Sequence, residues 1–153
     1  MSILQSKKQI QPKWPLQIDP IFGPYKSVSS AAESLKQDFL FLLKTIPGEW
    51  PMNPDLGVGL AKYLFENYGS QDLYTIKGRI DNQLRKYLSN ITLREAKFIN
   101  TDSDKDNMTS VLRIKFFIND LGLEDTIDFG LDSNRKTLVK IDVDKQYNKI
   151  GDL

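Results

Sequence analysis

Residues 109–119, TSVLRIKFFIN, decide the fold class of this chain. Leu112, Ile114, Phe116 and Ile118 alternate with Val111, Arg113, Lys115 and Phe117. Successive side chains of a strand point to opposite faces, so this spacing predicts a β-strand with one apolar face against a core. Downstream, Asp125 to Leu131 sets Ile127, Phe129 and Leu131 on one side, and Lys136 to Val143 sets Thr137, Val139, Ile141 and Val143 on one side. Each reads as a further strand. Residues 92–100 tolerate a strand but alternate weakly.

Upstream of Ile91 the period is helical. Ser30-Ala31-Ala32-Glu33 has the S-x-x-E form of a capping box, in which two side chains satisfy free backbone N–H groups reciprocally. Ala32, Leu35, Phe39, Leu42, Leu43 and Ile46 then recur at three- and four-residue spacing, and Glu33, Lys36, Gln37 and Lys44 form the expected solvated face. Pro47-Gly48 ends this helix. Asn53-Pro54 has the form of an N-cap followed by proline at the first helical position. It predicts a short helix that turns Leu56, Leu60, Leu64 and Phe65 inward and ends near Gly69. A third helix, from about Gln71 to Leu88, carries the stripe Leu73, Ile76, Ile80, Leu84 and Tyr87. About three helices followed by a small antiparallel sheet define an α+β domain.

The first 27 residues differ from all of this. Pro12, Pro15, Pro20 and Pro24 fix φ and restrict their predecessors, so the segment is expected to run extended. It nevertheless carries Trp14, Leu16, Ile18, Ile21, Phe22 and Tyr25. That apolar content suits an arm lying on a surface better than a solvated linker. The expected organisation is an extended arm at 1–27, a main domain at 28–131, and a C-terminal strand and tail at 132–153.

Composition narrows the chemistry. At 153 residues the chain is of single-domain size, and a net charge of +1 gives no bulk attraction to nucleic acid or to an anionic membrane. No apolar run approaches the roughly 20 residues that span a bilayer. The start, MSILQSKKQIQPK, lacks the apolar stretch and small-residue cleavage site of a signal peptide, so a cytoplasmic site of synthesis is expected. Cysteine and histidine are both absent. Thiol nucleophiles, Ser-His and Cys-His pairs and almost every zinc arrangement are thereby removed.

Four constellations remain to be weighed. Asp102-Ser103-Asp104-Lys105-Asp106-Asn107 begins like an EF-hand loop, but Asn107 stands where glycine is needed and Arg113 where a bidentate Glu is needed. A polar hairpin loop is the better reading, and no metal is expected. Gly57-Val58-Gly59 lacks the Lys-Ser/Thr of a phosphate-binding loop, so no nucleotide cofactor is expected. Glu49 and Asp55 share one tight turn and are the pair a glycosidase would use, yet no substrate-binding pattern surrounds them. Lys77, Arg79, Arg85 and Lys86 make one helix basic, but Asp81 and the near-neutral total point to a solvated face. The sequence therefore reads as non-enzymatic.

The stretch Leu42 to Glu66, LLKTIPGEWPMNPDLGVGLAKYLFE, resembles the signature of the small baseplate wedge proteins of contractile tails. That family includes the sheath-initiating wedge protein of T-even phages and its type VI secretion counterpart. The matching residues are Pro47, Gly48, Glu49, Pro54, Asp55, Leu56, Gly57, Leu64, Phe65 and Glu66, with Tyr87 further on, and WPLQIDPIFG resembles the family's lead-in. The likeness runs from about residue 14 to 120. One departure stands out: where the family often carries Glu-Pro-Arg after a tyrosine, this chain has Leu88-Ser89-Asn90.

The resemblance implies a structural subunit of a phage tail baseplate, assembled in the host cytoplasm. Its partners would be other wedge proteins, the tail sheath protein and tube or hub proteins, with neither nucleic acid nor membrane. It further implies that sheath arms add strands to an exposed sheet edge. Val111, Arg113, Lys115 and Phe117 are the candidate edge, with the two cations protecting it before the partner arrives. A regulatory adaptor of the same fold and, behind it, a cell-wall hydrolase are the alternatives.

Overall fold

The computed structural model describes residues 10–19, 21, 23–65, 70–100, 110–131 and 137–141. The elements run β1 (Gln11–Pro12), β2 (Ser27–Val28), α1 (Ala31–Lys44), α2 (Leu60–Phe65), α3 (Ser70–Tyr87), β3 (Ile91–Asn100), β4 (Ser110–Ile118), β5 (Leu123–Leu131) and β6 (Thr137–Ile141). An antiparallel sheet in the order β3-β4-β5-β6 carries the helices on one face, and β1 pairs with β2 as a separate ribbon. The α+β class and the three helices agree with the sequence reading.

The core forms where the helical stripes meet the apolar face of the sheet. Phe39, Leu42 and Leu43 of α1 and Ile76, Ile80 and Leu84 of α3 are buried with Leu112, Ile114, Phe116 and Ile118 of β4 and Ile127 and Phe129 of β5. Phe39 meets Phe116 edge-on at 5.0 Å between ring centroids. Such a pair adds about 0.5–1.5 kcal/mol beyond the area that it buries.

Several local expectations are corrected. Ser30 is the N-cap of α1, but its side chain makes no capping bond. Glu33 is drawn instead to Lys13 of the arm, at 2.9 Å. Lys36, expected on the solvated face, is only 4% exposed and ion-pairs with Asp125 of β5. Its aliphatic stem allows it to lie among apolar groups while the ammonium reaches a carboxylate. Ile46, assigned to the apolar stripe, is 46% exposed because the helix has already ended at Lys44. Asn53-Pro54 does not open α2, which starts at Leu60; Pro54 and Asp55 form a turn. The side chains of Leu64 and Phe65, and the residues 66–69 at the expected helix end, lie outside the described residues, as does the 102–107 loop.

The arm folds back on α1. Trp14 N–H donates to Gln37 Oε1 at 2.8 Å, and Gln37 Nε2 donates to the Pro12 carbonyl at 2.9 Å. Gln11 Nε2 donates to the Ser34 carbonyl, and the Trp14 ring packs edge-on against Phe41. From Gln11 to Trp14 the chain thus lies against its own first helix.

Candidate assembly interface

The turn between α1 and α2 is built from the inside outward. The peptide leaves α1 through Thr45, whose hydroxyl and N–H both donate to the Phe41 carbonyl, at 2.8 and 2.9 Å. Gly48 N–H then donates to the Pro54 carbonyl at 2.9 Å, closing the turn on itself, and Ile46 N–H donates to Glu49 Oε2 at 3.0 Å. Gly57 takes φ +106°, and a Cβ there would stand 2.2 Å from the Thr45 carbonyl oxygen. Only glycine fits where the chain passes back over the end of α1.

Helix α3 clamps this turn. Gln83, buried on α3, accepts from Gly57 N–H and donates to the Asp55 carbonyl, both at 2.9 Å. One turn further on, the Tyr87 hydroxyl donates to Asn53 Oδ1 at 2.9 Å. Asp55 lies 3.6 Å from Lys86, whose ammonium also sits 5.1 Å from the Tyr87 ring centroid. The Tyr87 hydroxyl first, and the Asp55 charge after it, raise the Lys86 pKa above its ordinary value. Gln83 is the residue that sequence reading missed. Its signal was position, since Ile76, Ile80, Gln83 and Tyr87 fall on one helical face, where an uncharged amide implies buried polar partners.

Of the signature residues, Gly48, Gly57 and Tyr87 donate hydrogen bonds that hold the turn, and Pro47 is half-buried at its start. Glu49, Pro54 and Asp55 accept bonds within the turn while standing exposed on it beside Trp50 and Met52. Phe65 closes α2, and Glu66 lies outside the described residues. The three N–H groups of Gly57-Val58-Gly59 donate to Gln83, to the Leu42 carbonyl and to the Thr45 carbonyl, so they cradle the protein itself.

The candidate strand-addition edge is corrected. β4 pairs with β3 on one side and β5 on the other, so Val111, Arg113, Lys115 and Phe117 cannot form an edge. They lie on the outer face of the sheet, where their charges answer neighbouring strands. Arg113 donates from Nε and Nη2 to the two carboxylate oxygens of Asp128, at 2.7 and 2.6 Å. Lys115 reaches Glu95 at 3.5 Å, and the Arg94 guanidinium lies 4.9 Å from the Phe117 ring centroid. Directly opposed charges support the ladder rather than guard an edge.

Among the described strands the outer ones are β3 and β6. β3 carries a register irregularity between Leu93 and Glu95, with Arg94 and Lys97 exposed, and bulges and charge of this kind obstruct further pairing. The Leu88-Ser89-Asn90 junction binds the β4–β5 turn: Asn119 N–H donates to the Asn90 carbonyl at 2.8 Å and Asn90 Nδ2 to Asp120 Oδ2 at 2.6 Å.

Comparison with known proteins follows this geometry. The profile of the family described as baseplate wedge protein gp25 matches residues 29–118. Among solved structures, a component of the baseplate of the anti-feeding prophage, determined in 6-fold symmetrised form, is similar at 20% identity and a TM-score of 0.58, over 74% of this chain and 90% of its own. A Geobacter sulfurreducens protein provisionally described as a tail lysozyme is similar at 19% identity and a TM-score of 0.55, over 69% of this chain and 94% of its own. No curated protein matches the sequence.

Proposed function

The chain belongs to the baseplate wedge protein gp25 family, and from that premise we propose that it joins a contractile-tail baseplate to the first sheath ring and templates sheath assembly by strand addition. It is a structural component of a tail baseplate. The observation that carries the reading is the family match over residues 29–118, which spans all three helices and the first two strands of the main sheet.

β6 is the edge we assign to the incoming strand. β3 is obstructed by its bulge and charges, whereas β6 pairs through Ile127↔Ile141 to Leu131↔Thr137 on one side and, among the described strands, has no partner on the other. An added strand would gain affinity from main-chain hydrogen bonds. A proline walk over Leu138, Val139 and Lys140 tests this, with folding checked by circular dichroism and sheath recruitment by sedimentation with purified sheath protein. Proline whose missing N–H faces β5 should unfold the edge. Proline whose missing N–H faces outward should leave the fold intact and abolish recruitment. Folded variants that all recruit sheath normally would remove β6 from the mechanism.

We also read the protein as non-enzymatic. Glu49 is exposed and accepts a hydrogen bond from Ile46 N–H, and Asp55 is exposed beside Lys86. A glycosidase sets its carboxyl pair across a substrate cleft, and both of these carboxyls stand exposed on one surface turn. Peptidoglycan cleavage by the purified chain that is lost in Glu49→Gln would overturn this. Tail genes beside its own separate the baseplate role from a free-standing adaptor.

A further inference from the structure

The core-facing rungs of β4 and β5 are apolar with one exception. Ile118↔Leu123, Ile114↔Ile127 and Leu112↔Phe129 set apolar residues opposite each other, whereas Phe116 stands opposite Asp125. Helix α1 touches both members of that rung. Phe39 packs its ring on Phe116, and Lys36, one turn earlier, pairs its ammonium with Asp125 Oδ2. The other carboxylate oxygen accepts from Thr126 N–H at 2.7 Å. Lys36 shares its helix face with Phe39, Leu40 and Leu43, all buried, so an apolar side chain there would serve the core as well. Taking two charges out of water costs solvation that their attraction only partly offsets. Stability alone does not account for them.

We infer that Lys36 and Asp125 fix the register of β5 against β4 by excluding a competing hairpin that the apolar pattern permits. In the observed hairpin Ile118 faces Leu123 across the turn 119–122. Moving β5 by two residues keeps every side chain on its own face. It leaves Asn119-Asp120 as a two-residue turn, the commonest hairpin length. Leu121 and Leu123 would then stand opposite Ile118 and Phe116, and Leu121, now 41% exposed, would turn to the core side. Apolar patterning does not reject that arrangement. Nor do the bonds that grip the turn from Asn90 and Thr92, because they hold Asn119 and Asp120, which belong to the turn in both registers. Asp125 does reject it. The shift carries its carboxylate from Phe116 to Ile114, about 7 Å along the strand, away from Lys36 and into apolar surroundings. A single polar position sets register in the same way in packed coiled coils. Among the described strands β6 pairs with β5 alone, so the choice also fixes where β6 stands. This role goes beyond the assembly reading and holds whatever partner the chain meets.

Because the chain has no cysteine, introduced cysteine pairs report the register without background. Lys115 stands opposite Thr126 in the observed hairpin and would stand opposite Glu124 in the shifted one. Directly opposed residues lie within disulfide range, and residues two further along the partner strand lie beyond it. Lys115→Cys with Thr126→Cys therefore traps the observed register, and Lys115→Cys with Glu124→Cys traps the shifted one. Each pair is placed in the full chain, with and without Lys36→Met plus Asp125→Leu, and oxidised under the same conditions. Removing both charges should leave the melting temperature unchanged or higher. It should also raise the ratio of shifted to observed disulfide by about a hundredfold. An unchanged ratio overturns the inference, whatever the melting temperature does. If the double variant does not fold, Asp125→Asn, which keeps the shape and removes the charge, carries the same test. The ratio should rise there too, and an unchanged one overturns the inference equally.

Discussion

Gly48 and Gly57 separate two reasons for glycine that a sequence motif merges. Both adopt positive φ, at +92° and +106°. A Cβ on Gly48 would have nothing within 4 Å, whereas one on Gly57 would meet the Thr45 carbonyl oxygen at 2.2 Å. Gly48→Ala therefore carries only the backbone cost of this region, about 1–2 kcal/mol. Gly57→Ala carries the same cost and must also displace a main-chain carbonyl that cannot rotate aside. Moving it strains the Gly59 N–H bond to Thr45 O and the buried Gly57 N–H bond to Gln83 Oε1, both 2.9 Å. Leaving one buried partner unsatisfied adds about 1–3 kcal/mol, so the total is about 2–5 kcal/mol. In a domain of this size that lowers the melting temperature by about 4–20 °C, against about 2–8 °C for Gly48→Ala. Thermal unfolding of the two variants beside the unaltered protein measures the difference. Equal losses in the two would refute the close approach of Gly57 to Thr45, and with it the account of why the turn needs that glycine.

Breaking the buried pair between α1 and β5 should be asymmetric. Asp125→Ala removes the carboxylate that the buried Lys36 ammonium pairs with, and urea unfolding should show a loss of about 2–4 kcal/mol, reduced from the fully buried case because Asp125 is partly exposed. Lys36→Met keeps an apolar stem in place and should stay within about 1 kcal/mol; a loss as large as that of Asp125→Ala would contradict the burial argument. Glu95 titrates below the ordinary carboxylate range because of Lys97 first and Lys115 next. A depressed folded pKa gives stability that is present above the unfolded value and is lost as pH falls through the folded one. Carboxyl NMR titration at low salt should show the Glu95 pKa rising in Lys97→Gln and the shift shrinking with added salt; an unmoved pKa would remove Lys97 as the cause.

The elements that could be read from sequence are those whose period is long and local. α3 and β4 each repeat their pattern over two or more turns or pleats, and Ile76, Ile80, Leu84, Leu112, Ile114, Phe116 and Ile118 are all buried as the period demands. What escaped was non-local. Lys36 meets Asp125 across 89 positions of sequence, and no spacing rule on α1 distinguishes it from Gln37, which serves the arm. Strand order escaped for the same reason. The cations of β4 look like edge protection on the strand alone and become cross-strand partners once Glu95 and Asp128 are beside them. Asn53-Pro54 was misread because its cap geometry suits a turn equally well, and Tyr87, 34 positions away, holds Asn53 there.

This division between local and non-local causes bears on how such a subunit can change partners and keep its fold. The bonds that fix the Pro47–Gly57 turn run mainly among main-chain groups, Gln83, Tyr87 and Asn53, with the exposed Glu49 carboxylate accepting from Ile46 N–H at its start. Trp50, Met52 and Asp55 face outward and contribute little to holding it. The junction before β3 follows the same rule. Ile91 N–H, Asn119 Nδ2 and Asn119 N–H donate to the carbonyls of Leu88, Ser89 and Asn90, which any residue type supplies. The strand start therefore rests on main-chain carbonyls more than on the side chains of Leu88-Ser89-Asn90. A fold shared at TM-scores of 0.55 and 0.58 with 19% and 20% identity is what such a separation permits. Exposed residues such as Trp50 and Met52 are free to vary, while Gly57, Gln83 and the two buried helical stripes answer to the core.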